Sequence, residues 1–292
     1  MFEQVSNHVA SSHGVHVAVY THTPSTAAHS NPILFSHATG FHGRVFTPVA
    51  EHLADYPCIT FDYRGYGDTA APAHTSLAWD QFGDDAVAVA QHVFAQHRQQ
   101  PIVGVGHSMG GAGLIMAALR EPQLFRALIV FEPIIFPPEV RTQTGRSNPL
   151  ADVTRRRRRT FASYTEAIAN FAAKPPLSSL HPDALAAYVR LGFTQTTDGV
   201  HIKCDPEFEA QTYEMGAYHD TWQALGQLRT PTWVVAGAHA DHSPAAIAPQ
   251  IAARIPNGTF VQWSDLGHFG PLDDPARFAG FIAERTDGIS RE

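Results

Sequence analysis

The chain has 292 residues, 44% of them hydrophobic and 16% charged. That is enough to bury a full core without a disulfide or metal staple, and it excludes disorder as the main state. With 27 acidic against 20 basic residues, a net charge of -7, the balance argues against a nucleic-acid binder.

The start, Met1-Phe2-Glu3-Gln4-Val5-Ser6-Asn7-His8, has neither the basic nor the apolar region of a signal peptide. Val15 to Tyr20 alternates apolar and polar residues, which predicts an antiparallel edge strand. Ile33-Leu34-Phe35 is a short apolar run, Val45 to Leu53 is helical in pattern, and Cys58 to Phe61 is the next strand. Phe82, Ala86, Val89, Ala90 and Val93 mark one face of a helix. Ile102 to Val105 reads as a strand, Gly111 to Arg120 as a helix and Ala127 to Phe131 as a strand. The stretch Ile102 to Leu119 is apolar, but His107, Ser108 and five glycines interrupt it, so it does not read as a membrane span.

The alternation breaks at Pro133, and Pro137-Pro138 closes the strand exit. The next segment reads as helical: Phe161, Tyr164, Ile168 and Phe171 fall at helical spacing, and Ala184 to Leu191 forms another helix. The alternation resumes at Pro231 with a strand at Thr232 to Ala236, a helix at Ala245 to Ile255, a strand at Thr259 to Trp263 and a helix at Ala276 to Arg285. Apolar strands separated by helices imply an α/β protein with a mostly parallel central sheet flanked by helices. Residues 1–136 and 227–292 are expected to form this core, and residues 137–226 an inserted helical cap. The two cysteines, Cys58 and Cys204, stand far apart in no metal spacing, so a reducing compartment, the cytoplasm, is expected.

The strand Ile102 to Val105 runs into Gly106-His107-Ser108-Met109-Gly110 and then a helix. This is G-x-S-x-G in the strand, sharp turn, helix context that gives it meaning. The turn exposes the Ser108 hydroxyl beside a helix N-terminus, which favours negative charge. A serine nucleophile needs a base, and the base an orienting acid. Among 18 histidines, His268 stands out because it follows the last strand within Gly267-His268-Phe269-Gly270. Two carboxylates offer themselves as the acid. Asp241 lies in the loop after the strand Thr232 to Ala236, and Glu132 directly follows the strand Ala127 to Phe131. The oxyanion needs preorganised N–H donors. These are expected from Met109, the residue after the nucleophile, and from Thr39 in the loop Ser36-His37-Ala38-Thr39-Gly40-Phe41-His42. His37 is expected to brace that loop, and His42 faces either the pocket or the surface.

With these residues in view, the chain resembles the α/β-hydrolase-fold serine hydrolases with a helical cap, over nearly its whole length. The matching features are the His37 loop, Asp62-Tyr63-Arg64-Gly65-Tyr66-Gly67, Gly106-His107-Ser108-Met109-Gly110, Asp241 and Gly267-His268-Phe269. The oxyanion loop departs from the family's usual His-Gly by reading His37-Ala38. The resemblance implies the chain order Ser, acid, His, which favours Asp241, although some members of the fold supply the acid from the position of Glu132. It implies a carboxylic ester or lactone as substrate, an acyl-enzyme intermediate, and no cofactor. Carbon–carbon bond hydrolysis on the same groups, or a non-catalytic ligand-binding role, are the alternatives. Relatives with an aspartate nucleophile are excluded by Ser108.

Other signals carry less. The run Arg155 to Arg159 reads as a solvated helix face rather than an anion site, since consecutive residues spread around a helix. His239-Ala240-Asp241-His242 resembles the end of the H-x-H-x-D-H metal motif, but Gly237 stands where its first histidine belongs. Tyr63, Tyr66 and Trp79 either line a channel or pack in the core. No G-x-G-x-x-G follows the first strand and no P-loop lysine occurs, so nucleotide use is unsupported.

Overall fold

The computed structural model of the chain describes residues 5–22, 31–71, 77–140, 148–240 and 243–289. Its strands are, in chain order, β1 (Asn7–Ala10), β2 (His16–His22), β3 (Ile33–Ser36), β4 (Cys58–Phe61), β5 (Ile102–His107), β6 (Phe125–Phe131), β7 (Thr160–Phe161), β8 (Phe193–Thr196), β9 (Gly199–Ile202), β10 (Thr232–Ala236) and β11 (Gly258–Gln262). Eight of them form the main sheet in the order β1-β2-β4-β3-β5-β6-β10-β11. From β4 to β11 every neighbouring pair is parallel, while β2 is antiparallel to both β1 and β4.

Side chains alternate across this sheet with period two. Leu34, Ile102, Leu128, Val130, Val234 and Ala236 enter the core on one face. There they meet α2 (Asp80–Gln96), α3 (Met109–Arg120) and the helix Pro244–Arg254 (α9). Ile33, Phe35, Val103, Val105, Ile129, Phe131 and Val235 face the other way. They pack against α1 (Thr47–Glu51) and the final helix Pro275–Gly288 (α11). Burial on both faces explains why these strands read as continuous apolar runs.

The sequence expectation needs two corrections. The strand expected at the sheet edge is covered by β1, whose residues Asn7 to Ala10 are mostly exposed and carry little apolar pattern. The segment between β6 and β10 is also not purely helical. It holds α4 (Pro149–Arg155), α5 (Tyr164–Ala172), α6 (Pro182–Gly192), α7 (Pro206–Met215) and α8 (Thr221–Ala224). It also carries an antiparallel sheet in the order β7-β9-β8. Phe161 belongs to β7, because the helix starts only after Ser163, whose hydroxyl accepts the Glu166 N–H as an N-cap. The β8–β9 hairpin turns at Thr197-Asp198 between the paired Thr196 and Gly199.

This segment settles over the loops that leave β3 and β4. Tyr188 of α6 packs on Phe41, with ring centroids 5.2 Å apart. The Tyr66 hydroxyl donates to Thr212 Oγ1 at 3.0 Å, and the Trp79 indole N–H to the Thr212 carbonyl at 2.9 Å. Since β3, β4 and β5 run parallel, their exits share one edge of the sheet, and Ser108 leaves β5 at that same edge. A last short helix, Gly270–Asp273 (α10), follows His268.

Candidate active site

Ser108 occupies the single residue between β5 and α3, at φ 56° and ψ -117°. A β-carbon at Gly106 would lie 2.6 Å from the Gly111 α-carbon, and one at Gly110 would run into the Ser36 carbonyl, so the turn closes only with glycine at both places. The Ser108 N–H donates to the Phe131 carbonyl at 2.9 Å, and the Ser108 carbonyl accepts from Ile134 N–H at 3.2 Å. The elbow is thereby pinned to the exit of β6. Among the described residues the Ser108 hydroxyl makes no hydrogen bond.

That exit carries Glu132, 1% exposed and itself at φ 45°. Its Oε1 accepts the Gly237 N–H at 2.8 Å, and its Oε2 accepts Nδ1–H of His268 at 2.5 Å. Glu132 N–H also bonds the Val235 carbonyl at 2.9 Å, so the carboxylate is held by the neighbouring strand β10. Among the described residues, Glu132, the second of the two carboxylates in the sequence expectation, is the one on the imidazole. Asp241 and His242 lie outside the described residues. The loop carrying His268 is fixed by Ala238 N–H, which donates to the Leu266 carbonyl at 2.6 Å.

The loop after β3 places Thr39, 7% exposed, in a turn closed by Phe41 N–H to the Ala38 carbonyl at 3.2 Å. Ala38 is not among the positive-φ residues, so alanine fits where the resemblance favours glycine. His37 braces the loop: its Nδ1–H donates to the Ala38 carbonyl at 2.8 Å, and its Nε2 accepts the Tyr63 N–H at 3.0 Å. Burial pushes its pKa down, consistent with this neutral tautomer. Met109 is fully buried as the first residue of α3. His42 is neither on the surface nor free. It is buried beneath α6 with Nε2 donating to the Tyr188 carbonyl at 3.2 Å, and burial lowers its pKa to about 4.

Tyr63, Tyr66 and Trp79 are all core residues. The arginine run is spent largely on carboxylates: Arg155 pairs with Glu207 and Glu214, Arg158 with Glu166, and Arg159 with Asp205. Arg157 alone turns inward, to Glu209 at 2.5 Å. Burial raises the Glu209 pKa. A β-carbon at Gly40 would lie 2.7 Å from Glu209 Oε1, so this buried pair rests on the loop next to Thr39. Sequence reading missed Glu209, since nothing local distinguishes it from Glu207 and Glu214 of the same helix, neither of which is buried. Among the described residues, no group of three or more His, Cys, Asp or Glu side chains could hold a metal ion, and no helix is long and apolar enough to cross a membrane.

A parallel sheet with a serine at a strained strand-to-helix elbow, and a histidine–carboxylate pair at the same edge, defines a hydrolase-type fold and site. The model of the Alpha/beta hydrolase family matches residues 33–281, and the chain belongs to that family. Abhydrolase domain-containing protein ACTT2-1 of Alternaria alternata is 32% identical over 229 residues, 65% of this chain and 84% of that protein. The crystal structure of E-2-(acetamidomethylene)succinate hydrolase superposes with a TM-score of 0.76 at 21% identity, covering 94% of this chain and 96% of its own. A thermophilic esterase from Thermogutta terrifontis superposes at 0.69 with 22% identity, covering 98% and 99%. At these identities the two structures speak for the fold, and a small-molecule substrate fits the family.

Proposed function

We propose that this hydrolase cleaves a carboxylic ester or lactone through Ser108, His268 and Glu132. The observation that carries the reading is the buried Glu132 carboxylate on Nδ1 of His268. It fixes the tautomer in which Nε2 is the free, basic nitrogen. In this mechanism Ser108 Oγ attacks the acyl carbonyl carbon while its proton passes to His268 Nε2. The oxyanion is received by the N–H groups of Met109 and Thr39. The bond to the leaving oxygen then breaks, and His268 returns the proton to it. Water attacks the acyl-enzyme with His268 as base, releasing the acid and restoring the serine. Acyl transfer to water on these groups requires no cofactor.

The absent Ser108–His268 hydrogen bond is compatible with this mechanism, because such contacts often tighten only when substrate binds. Residues 137–226 are proposed as the cap that roofs the pocket and sets acyl preference; their packing on Phe41, His42 and Tyr66 supports this. The buried free thiols Cys58 and Cys204 support a cytoplasmic setting. Labelling with a fluorophosphonate, followed by a panel of p-nitrophenyl esters, lactones and a 1,5-diketone, tests both the nucleophile and the bond. Label on wild type and none on Ser108→Ala is expected. Equal labelling of the two would overturn the serine mechanism, and turnover of the diketone alone would move the bond to carbon–carbon.

A further inference from the structure

The residue just before the nucleophile is a histidine that the mechanism above does not use. His107 ends β5 and is 1% exposed. Its ring lies 4.9 Å from that of His268 and meets Phe131 and Phe269 edge-on, each at 6.0 Å. Its Nε2 lies 2.8 Å from the backbone carbonyl of His268. A carbonyl only accepts, so Nε2 carries the proton and donates it. Burial holds the pKa of this ring well below the ordinary histidine value, which keeps the ring neutral.

We infer that His107 is a positioning residue that clamps the base to the nucleophile: through one hydrogen bond to the His268 carbonyl it fixes the loop whose imidazole must face the serine next to it in the chain. This inference rests on the acyl-transfer reading above. His268 is then held at two points. Glu132 fixes the ring through Nδ1, and His107 fixes the backbone through the carbonyl. Either restraint alone leaves a freedom open. The Ala238–Leu266 bond anchors the loop two residues before His268. The Glu132 bond alone therefore still permits the His268 backbone to shift with the ring pivoting about Nδ1, while the His107 bond alone permits the ring to rotate about its side-chain torsions. Together they set the height and the direction of Nε2 over the elbow. Because His107 and Ser108 are adjacent, movement of the elbow carries the base loop with it. A misplacement of about 1 Å at a reacting group can cost 10²-fold in rate.

His107→Leu removes the donor and keeps apolar bulk, while His107→Gln retains an N–H at similar reach. Two measurements are made on the full chain, with thermal melts to confirm folding. The first is the rate of fluorophosphonate labelling. The second is the low-field proton resonance of His268 Nδ1–H, which does not depend on activity. The Leu variant is expected to label about 10²-fold more slowly and to broaden or lose the low-field proton, and the Gln variant to recover most of both. A Leu variant that labels at the wild-type rate and keeps the proton overturns the clamp. If wild type itself does not label while the proton still depends on residue 107, the clamp stands and the acyl-transfer reading is at fault.

Discussion

Glu132 and His268, 136 residues apart in the chain, meet at 2.5 Å between Oε2 and Nδ1. The contact is built by strand register. Phe131 of β6 pairs with Val235 of β10, so the residues that follow the two strands emerge side by side, and Gly237 N–H closes on the other oxygen of the same carboxylate. The Glu132 carboxylate is therefore held at both oxygens, one spent on the Gly237 N–H of the scaffold and one on the His268 imidazole.

Replacing Glu132 by glutamine keeps the shape but removes the charge and favours the wrong imidazole tautomer. Ester turnover is expected to fall by up to about 10⁴-fold with the fold intact, whereas Asp241→Asn is expected to cost little. Steady-state kinetics of both variants on one p-nitrophenyl ester decide the matter, and the reverse ranking would return the acid to Asp241.

Much of this site is legible in the sequence because its chemistry is local. Gly106 to Gly110 declares the elbow within five residues, and His268 is marked by its place after the last strand. The choice between Glu132 and Asp241 is not local. Both carboxylates follow adjacent parallel strands, and the side chain that reaches the imidazole is decided by register and loop path. The β7–β9–β8 sheet escaped for another reason, since two- and four-residue strands are too short to show a period. The Asp198-Gly199 dipeptide was the one available hairpin signal. Arg157 hid inside a run of like residues, where only packing distinguishes the one that turns inward.

That inward arginine gives a stability prediction. Removing Arg157 leaves the Glu209 carboxylate buried without its cation, and breaking a buried pair from one side costs about 3–5 kcal/mol. Arg157→Ala is expected to lose stability on this scale in urea unfolding, and Arg157→Met with Glu209→Leu to regain much of it. If Arg157→Ala proves as stable as wild type, the pair contributes nothing to holding α7 against the Gly40 turn.

The buried histidines contribute to the acid side of the stability curve. Burial lowers His37 and His107, and brings His42 to about 4. In the unfolded chain all three take up protons near the ordinary value of about 6.5. Between these values the unfolded state binds more protons, so unfolding free energy rises with pH and is lost as the solution is acidified. For His42 alone the loss is on the order of 3 kcal/mol once both states are protonated. Urea midpoints should fall between about pH 7 and pH 5, and His42→Gln should flatten that slope. A midpoint that stays constant across the interval contradicts the prediction.

Two glycines separate strain from catalysis. Gly14 (φ 71°) and Gly40 (φ 82°) both adopt left-handed backbone, which costs an L-residue roughly 1–2 kcal/mol. A β-carbon at Gly14 meets nothing within 4 Å, whereas one at Gly40 lies 2.7 Å from Glu209 Oε1. Gly14→Ala therefore isolates the backbone cost, and it is expected to lower stability by about 1 kcal/mol with turnover unchanged. Gly40→Ala adds a clash against a buried carboxylate that cannot swing away cheaply, because Arg157 holds it. The strain must pass into the turn, and Thr39 is the next residue. If the Thr39 N–H receives the oxyanion, displacing it removes one preorganised donor, a loss of about 10²–10³ in kcat. KM is expected to change little, since that donor acts on charge that develops only in the transition state. Melting curves and steady-state kinetics on both variants test this together. A Gly40→Ala enzyme that is destabilised like Gly14→Ala, yet keeps its kcat, would remove Thr39 from the oxyanion site.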